Sequence, residues 1–305
     1  MNIASIDIGS NTAILLIASI EKGELYPLYN QYETPRLGKG IDINGKITDD
    51  KIELLLKILK QFKRKIEEHN CIKTIITATN AMRLANNSEE IISKVKNDLA
   101  LNIQIIPGEK EAELSFLGGS SAFPNINEKV IIDIGGGSTE IIYGNKNNIL
   151  FKHSFQVGTV SLTEKFLTNF SDKVNIKEKI YNHLDSIFTL LKTNIPKGVA
   201  TIAVAGTPTT LFCMSKELQE YDENIVEGAF FKYNELLNIS KILVNLAPIE
   251  VKQKYGNVVN GREDVIFAGS LILLYLAELF FIDSIYISGR GLRYGSIINY
   301  INNMK

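Results

Sequence analysis

Two short stretches of this chain carry the same chemistry: Asp7 followed by Ser10-Asn11-Thr12, and Asp133 followed by Gly135-Gly136-Gly137-Ser138-Thr139. In each, an apolar run (Ile6-Asp7-Ile8, Ile132-Asp133-Ile134) contains an acid and gives way to small residues. Small residues let successive backbone N–H groups converge on one anion, hydroxyls add donors, and a carboxylate can hold a divalent cation that neutralises phosphate charge. Either stretch alone also fits a hairpin turn between buried strands. Two copies with the acid in the same place point instead to a pair of phosphate grips. The offset from Asp7 to Asp133 is 126 residues, about one domain length, so the duplication is that of two related domains.

The elements that must position these residues follow from periodicity. Residues 12–20 and 24–33 alternate as antiparallel strands joined at Glu21-Lys22-Gly23, and residues 139–143 and 149–157 repeat that pattern around residues 144–148. Ile52, Leu55, Leu56, Leu59, Phe62 and Ile66 recur at helical spacing behind a capping-box pattern, Asp50-x-x-Glu53. A strand over 74–79, a helix behind Asn87-x-x-Glu90 and a strand over 103–106 complete a first α/β unit. In the second half, a helix behind Asn175-x-x-Glu178 precedes strands over 200–205 and 284–288. The first of these strands runs into Gly206-Thr207-Pro208-Thr209-Thr210, a turn suited equally to starting a helix and to accepting an anion there.

Composition narrows the partners. A net charge of −1 over 305 residues lacks the basic excess of a nucleic-acid binder, so no nucleic acid is expected. Cys71 and Cys213 form no CxxC, and His69, His153 and His183 have no ligand spacing; zinc and disulfide frameworks are not expected, and a reducing cytoplasm fits. The N-terminus has no basic region ahead of its apolar strand, so it reads as core rather than signal peptide. Residues 265–281 are strongly apolar, yet they fall short of the ~20 a membrane span needs and contain Gly269, Ser270 and Glu278. They read as a buried helix, with no membrane association.

Eight motifs in order extend over the chain: residues 7–12, Arg36-Leu37-Gly38, residues 78–83, Gly108-Glu109-Lys110-Glu111-Ala112, residues 133–140, Ala205-Gly206-Thr207, Arg262-Glu263-Asp264 and Gly291-Leu292-Arg293. Their order resembles the exopolyphosphatase and guanosine pentaphosphate phosphohydrolase (Ppx/GppA) family, a branch of the actin-like ATPase, Hsp70 and sugar-kinase superfamily. The resemblance implies an α/β fold of two related actin-like (ribonuclease H-like) domains with an active-site cleft between them. The domains would span residues 1–122 and 123–294, with a C-terminal helix at about 295–305 packing on the first. It resembles the short, two-domain form, with a homodimer left open. Two departures stand out: many relatives carry Arg at Ser161 and Glu at Tyr294.

What the resemblance implies for chemistry is Mg²⁺-dependent hydrolysis, with Mn²⁺ as a substitute, of the terminal phosphoanhydride of inorganic polyphosphate. The alternative is guanosine pentaphosphate, cleaved to guanosine tetraphosphate. Glu111 would activate the attacking water, with Glu140 assisting, although residues 109–113 alone read as the acidic first turn of a helix. Asp7 and Asp133 would hold the metal. Substrate contacts would fall on Ser10, Asn11, Thr12, Gly135, Gly136, Gly137, Ser138, Thr139, Gly206 and Thr207, with Arg36, Arg83 and Arg293 meeting phosphate charge; Arg262, beside two acids, reads equally as an internal pair. A kinase or ATPase of the same superfamily would need an adenine pocket at residues 205–207. A polyphosphate or alarmone sensor without turnover would have no need of a water-activating acid.

Overall fold

The computed structural model describes residues 1–167 and 175–304, and the chain divides into two units. One comprises Met1–Gly118 and the segment from Leu292 onward; the other is Gly119–Gly291. The first is built from β1 (Asn2–Ile8), β2 (Ala13–Glu21), β3 (Glu24–Glu33), α1 (Ile41–Asn44), α2 (Asp49–Glu68), β4 (Lys73–Ala78), α3 (Asn80–Leu84), α4 (Ser88–Leu99), β5 (Gln104–Ile105) and most of α5 (Gly108–Ala122). Its sheet has the order β3-β2-β1-β4-β5, with β1 antiparallel to β2 and parallel to β4. β1 is buried on both faces: Ala4, Ile6 and Ile8 join the core formed with α2 and α4, and Ile3 packs in the opposite cluster.

The second unit runs through β6 (Lys129–Ile134), β7 (Thr139–Gly144), β8 (Ile149–Phe155), α6 (Thr159–Phe166), α7 (Ile176–Ile187), α8 (Leu191–Asn194), β9 (Thr201–Val204), α9 (Gly206–Ser215), α10 (Glu223–Val226), β10 (Phe230–Lys232), α11 (Tyr233–Leu243), α12 (Pro248–Tyr255), α13 (Ile266–Phe280) and β11 (Ser284–Ser288). Its sheet order, β10-β11-β9-β6-β7-β8, repeats the first in β8-β7-β6-β9-β11 and adds β10 antiparallel at the edge. β6 takes the place of β1, with an antiparallel hairpin on one side and a parallel strand on the other. The apolar stretch near residue 265 forms α13, whose Leu271, Ile272, Leu273 and Leu274 lie in the core of this unit. Among the described residues no helix is long and apolar enough to cross a membrane.

The final helix, α14 (Leu292–Asn302), belongs to the first unit, where Tyr294, Ile297 and Ile301 cover Ile3, Leu16 and Ala18. It crosses α5 closely: a β-carbon added at Gly295 would lie 1.8 Å from the Leu114 carbonyl oxygen. Backbone cannot retreat as a flexible side chain can. Gly295→Ala is therefore expected to destabilise the protein by about 1–3 kcal/mol or more, read as a lowered midpoint in thermal unfolding.

The capping box expected at Asp50 does not form, while the helices expected behind Asn87 and Asn175 do start there. α2 starts at Asp49 behind Thr48, not at Asp50, and the Thr48 hydroxyl bonds the exposed Asp50 carboxylate, lowering its pKa. Asn87 does precede α4, but its amide bonds both the N–H and the C=O of Ile47, tying down the loop ahead of α2. Asn175 precedes α7 without a side-chain cap. The strand expected over 103–106 shrinks to Gln104–Ile105.

Candidate functional site

In the first unit, β1 delivers Asp7 to the end of the sheet, and the chain turns back through a hydrogen bond from Gly9 N to Thr12 O (2.8 Å). Ser10 and Asn11 are buried in this turn. Its outer side is held by Gly38, whose N–H donates to Ser10 O at 2.7 Å, and by Arg36, whose N–H donates to Asn11 O at 3.1 Å. Arg36 adopts left-handed backbone (φ 53°), and a β-carbon at Gly38 would meet Ser10 Cβ at 2.7 Å. The loop after β3 is thus moulded onto the turn. From β4, Thr79 N–H donates to Ile8 O at 3.1 Å, so α3 begins against the end of β1.

Arg83 on α3 reaches across to α5. Its Nη1 donates to Glu111 Oε2 at 2.7 Å and to Ile106 O at 2.9 Å. Glu111 sits in the first turn of α5, only 8% exposed. An ionised pair this short and this buried fixes the carboxylate's direction, and removing either partner would leave a charge uncompensated. Arg293, on α14, is buried; its Nη1 donates to Asn30 and its Nη2 to Tyr32. Burial works against its charge, but its tyrosine neighbours Tyr32 and Tyr294 and the Asp7 carboxylate outweigh this and raise its pKa. Its charge thus reaches Asp7 from within the fold.

The second unit repeats the turn: Gly135 N donates to Ser138 O at 3.0 Å, the same bond shifted by 126 residues. Here α6 closes the outer side. Thr159 N donates to Gly135 O (2.9 Å) and Val160 N to Gly136 O (2.7 Å), so the helix N-terminus satisfies the turn's carbonyls. Among the described residues, the amides of Gly136, Gly137 and Ser138 donate to no backbone carbonyl, which leaves three successive donors for an anion. Thr139 is fully buried and gives its hydroxyl hydrogen to Val157 O, while Thr207 gives its own to Ile134 O. Both hydroxyls brace the turn from within.

Asp133 ends up opposite Glu140, which lies opposite Ser154, so the three share one face of β6, β7 and β8. Ser154 donates to Glu140 Oε1 at 2.6 Å. A β-carbon at Gly291 would lie 3.4 Å from Asp133 Oδ2 and 3.8 Å from Ala205 Cβ, so these three meet. Ala205 has φ 71° and ψ −161°, backbone that is nearly confined to glycine and costs about 1–3 kcal/mol elsewhere. Such strain tends to gather at functional turns, and this one leads into α9. Gly206 at the start of α9 is covered by Arg262, whose Nη2 would lie 2.2 Å from an added β-carbon.

The two departures from the family pattern have local explanations. The Ser161 hydroxyl accepts from Gly158 N at 2.9 Å, capping α6, and Tyr294 is a core residue beneath β1 and β2. Asn80 stands within the motif at residues 78–83, and Gly158 opens the stretch that ends in Ser161, but the sequence assigned a role to neither. Gly158 lies against the phosphate turn, where an added β-carbon would be 2.5 Å from Gly136 C and O.

Comparison with known proteins follows the same lines. The chain is 32% identical, over 98% of its length, to a bifunctional 3-dehydroquinate synthase/phosphatase of Fusobacterium nucleatum subsp. nucleatum, but spans only 46% of that protein. It is 27% identical to Exopolyphosphatase 2 of Mycobacterium tuberculosis, covering 90% of each chain. It is 26% identical to a guanosine-5'-triphosphate,3'-diphosphate pyrophosphatase of Pseudoalteromonas atlantica, over 99% of this chain and 59% of that one. The crystal structure of an exopolyphosphatase from Cytophaga hutchinsonii superposes with a TM-score of 0.92 at 28% identity, covering 100% of this chain and 99% of the other. That of the Aquifex aeolicus Ppx/GppA family member gives 0.84 at 28% identity, with coverage of 100% and 99%. Residues 16–304 match the Ppx/GppA phosphatase family, and with the duplicated turns and sheets described above this establishes that the chain belongs to that family.

Proposed function

We propose that this family phosphatase hydrolyses the terminal phosphoanhydride of inorganic polyphosphate and releases orthophosphate. The observation that carries the reading is Glu111, a carboxylate buried and aimed by Arg83, whose helix begins against the end of β1. A protein that only bound phosphate would not need it. Polyphosphate is favoured by the likeness to Exopolyphosphatase 2 and to the exopolyphosphatase from Cytophaga hutchinsonii, whose crystal structure superposes with a TM-score of 0.92.

In this reading, water attacks the terminal phosphorus: a new P–O bond forms, the bridging P–O bond breaks, and the shortened chain leaves on the bridging oxygen. Glu111 takes the water's proton, and Arg83 keeps that carboxylate aimed through the step. The turn at 10–12 would donate to phosphate oxygens, and the amides of residues 136–138 offer the same chemistry in the second unit. Both turns are closed by their own backbone hydrogen bonds, Gly9 N to Thr12 O and Gly135 N to Ser138 O.

The carboxylates fit a hard divalent cation. Asp133 and Glu140 face one another across a strand pair, and a cation relieves such like-charge opposition. No group of three His, Cys, Asp or Glu side chains is gathered among the described residues, but Mg²⁺ is commonly held by one or two carboxylates with water and substrate phosphate. Asp133 would hold Mg²⁺ or Mn²⁺, with Glu140 assisting through water, and Asp7 is the corresponding carboxylate of the first unit. The ion would neutralise charge on the transferring group. Asp133→Asn is expected to raise the Mg²⁺ concentration for half-maximal activity severalfold; a fall in activity at unchanged metal dependence would assign Asp133 to phosphate geometry instead.

The deciding measurement compares orthophosphate release from long polyphosphate, short polyphosphate, guanosine pentaphosphate and ATP, with Mg²⁺ present. Preference for polyphosphate supports the reading. Preference for guanosine pentaphosphate would replace it with the alternative, and phosphate transfer from ATP to a non-water acceptor would make the protein a kinase.

A further inference from the structure

Asn80 opens α3 and is 5% exposed, yet its Oδ1 is buried and accepts no hydrogen bond from any described residue. Three residues on, the buried Nη2 of Arg83 likewise has no hydrogen-bond partner among them. Residues three apart on a helix share a face, so an unused acceptor and an unused donor stand one turn apart. A buried polar atom without a partner is costly, at about 1–3 kcal/mol, and natural folds rarely retain one without a ligand or ordered water to meet it.

The position of Asn80 says what that partner is. On one side, Thr79 N–H is bonded to Ile8 O, which places Asn80 next to the Gly9–Thr12 turn. On the other, Arg83 grips Glu111. Asn80 therefore lies on the short helix that starts against the end of β1 and carries the arginine that grips Glu111.

We propose that Asn80 Oδ1 is the second acceptor for the attacking water. The inference rests on the hydrolase reading above. Water has two hydrogens, and to present a lone pair to phosphorus in one fixed direction it must have both engaged. Glu111 accepts the hydrogen it will remove as a proton. Asn80 accepts the other, which stays on oxygen and leaves on the product phosphate. Bond-making and bond-breaking are otherwise as in simple hydrolysis, and Asn80 itself gains and loses nothing.

Methanol provides the test, because it has one hydrogen for Glu111 and a methyl group where water would meet Asn80. The full chain with Mg²⁺ is given short polyphosphate in aqueous methanol, and methyl phosphate and orthophosphate are resolved by ³¹P NMR. Guanosine pentaphosphate serves instead if that is what the wild type cleaves. For Asn80→Ala, turnover should fall roughly ten- to a hundredfold at nearly unchanged KM, and the ratio of methyl phosphate to orthophosphate should rise severalfold. Asn80→Leu, which fills the same volume without an acceptor, should behave likewise. Asn80→Asp, which keeps an acceptor, should retain the wild-type ratio. Thermal unfolding identifies any variant that does not fold, and the folded ones decide. A folded Ala or Leu variant with the wild-type product ratio would overturn the assignment, as would one in which only KM changes. A wild type that releases no orthophosphate from either substrate would overturn the hydrolase reading itself, and the role of Asn80 with it.

Discussion

Glu111→Gln is expected to lower turnover by about a hundredfold or more while leaving substrate affinity close to normal. The amide has the shape of the carboxylate and can still accept from Arg83 Nη1, now 2.7 Å away, so the first turn of α5 should stay in place. What it cannot do is take a proton from water. The loss therefore falls on a group used in the transition state, and kcat should carry it while KM does not. Binding of a nonhydrolysable polyphosphate analogue, followed by calorimetry, should match the wild type. Near-normal turnover would reduce Glu111 to an acidic helix-start residue that happens to pair with Arg83.

Gly158→Ala is expected to remove most of the activity, through the backbone rather than through any functional group. The added carbon would arrive 2.5 Å from Gly136 C and O and 2.6 Å from Gly137 N. Relief requires the turn or the start of α6 to shift. Those two are bonded together by Thr159 N to Gly135 O and Val160 N to Gly136 O, so either movement disturbs the three amides at residues 136–138. Donors displaced by even 1 Å lose much of their worth to a phosphate, and such misplacement can cost about a hundredfold in rate. Steady-state kinetics should show both a raised KM and a lowered kcat. An alanine variant with wild-type parameters would mean that the turn is not rigidly backed by α6.

Much of this architecture was legible in the sequence because it is local. The duplicated acid-and-small-residue turns, the strands that precede them and the buried helix at α13 follow from periodicity and from short runs whose partners lie within a few residues. β11 matches its expected span, and β9 is shorter than expected by one residue at each end. Side-chain capping was less legible, even where, as at Asn87, the helix starts where expected. Asn87 has the composition of a cap, but Ile47, far earlier in the chain, offers its amide two hydrogen bonds, and that tertiary partner wins.

The same division runs through the candidate site. Sequence alone determined which residues could take part: Asp7 and Asp133 at the ends of related strands, the small-residue turns after them, and a set of arginines within shared motifs. Tertiary structure decided what each side chain does. Arg83 was legible as a cation near a motif, but its grip on Glu111 spans 28 residues, and Arg293 finds Asn30 across 263. The hydroxyls of Thr139 and Thr207 are spent on carbonyls that only the packed sheet brings within reach. Residue type sets what a group can donate or accept, and periodicity sets the element that carries it. Hydrogen bonds and ion pairs operate only within about 3–4 Å, so the choice among partners waits until distant segments have packed.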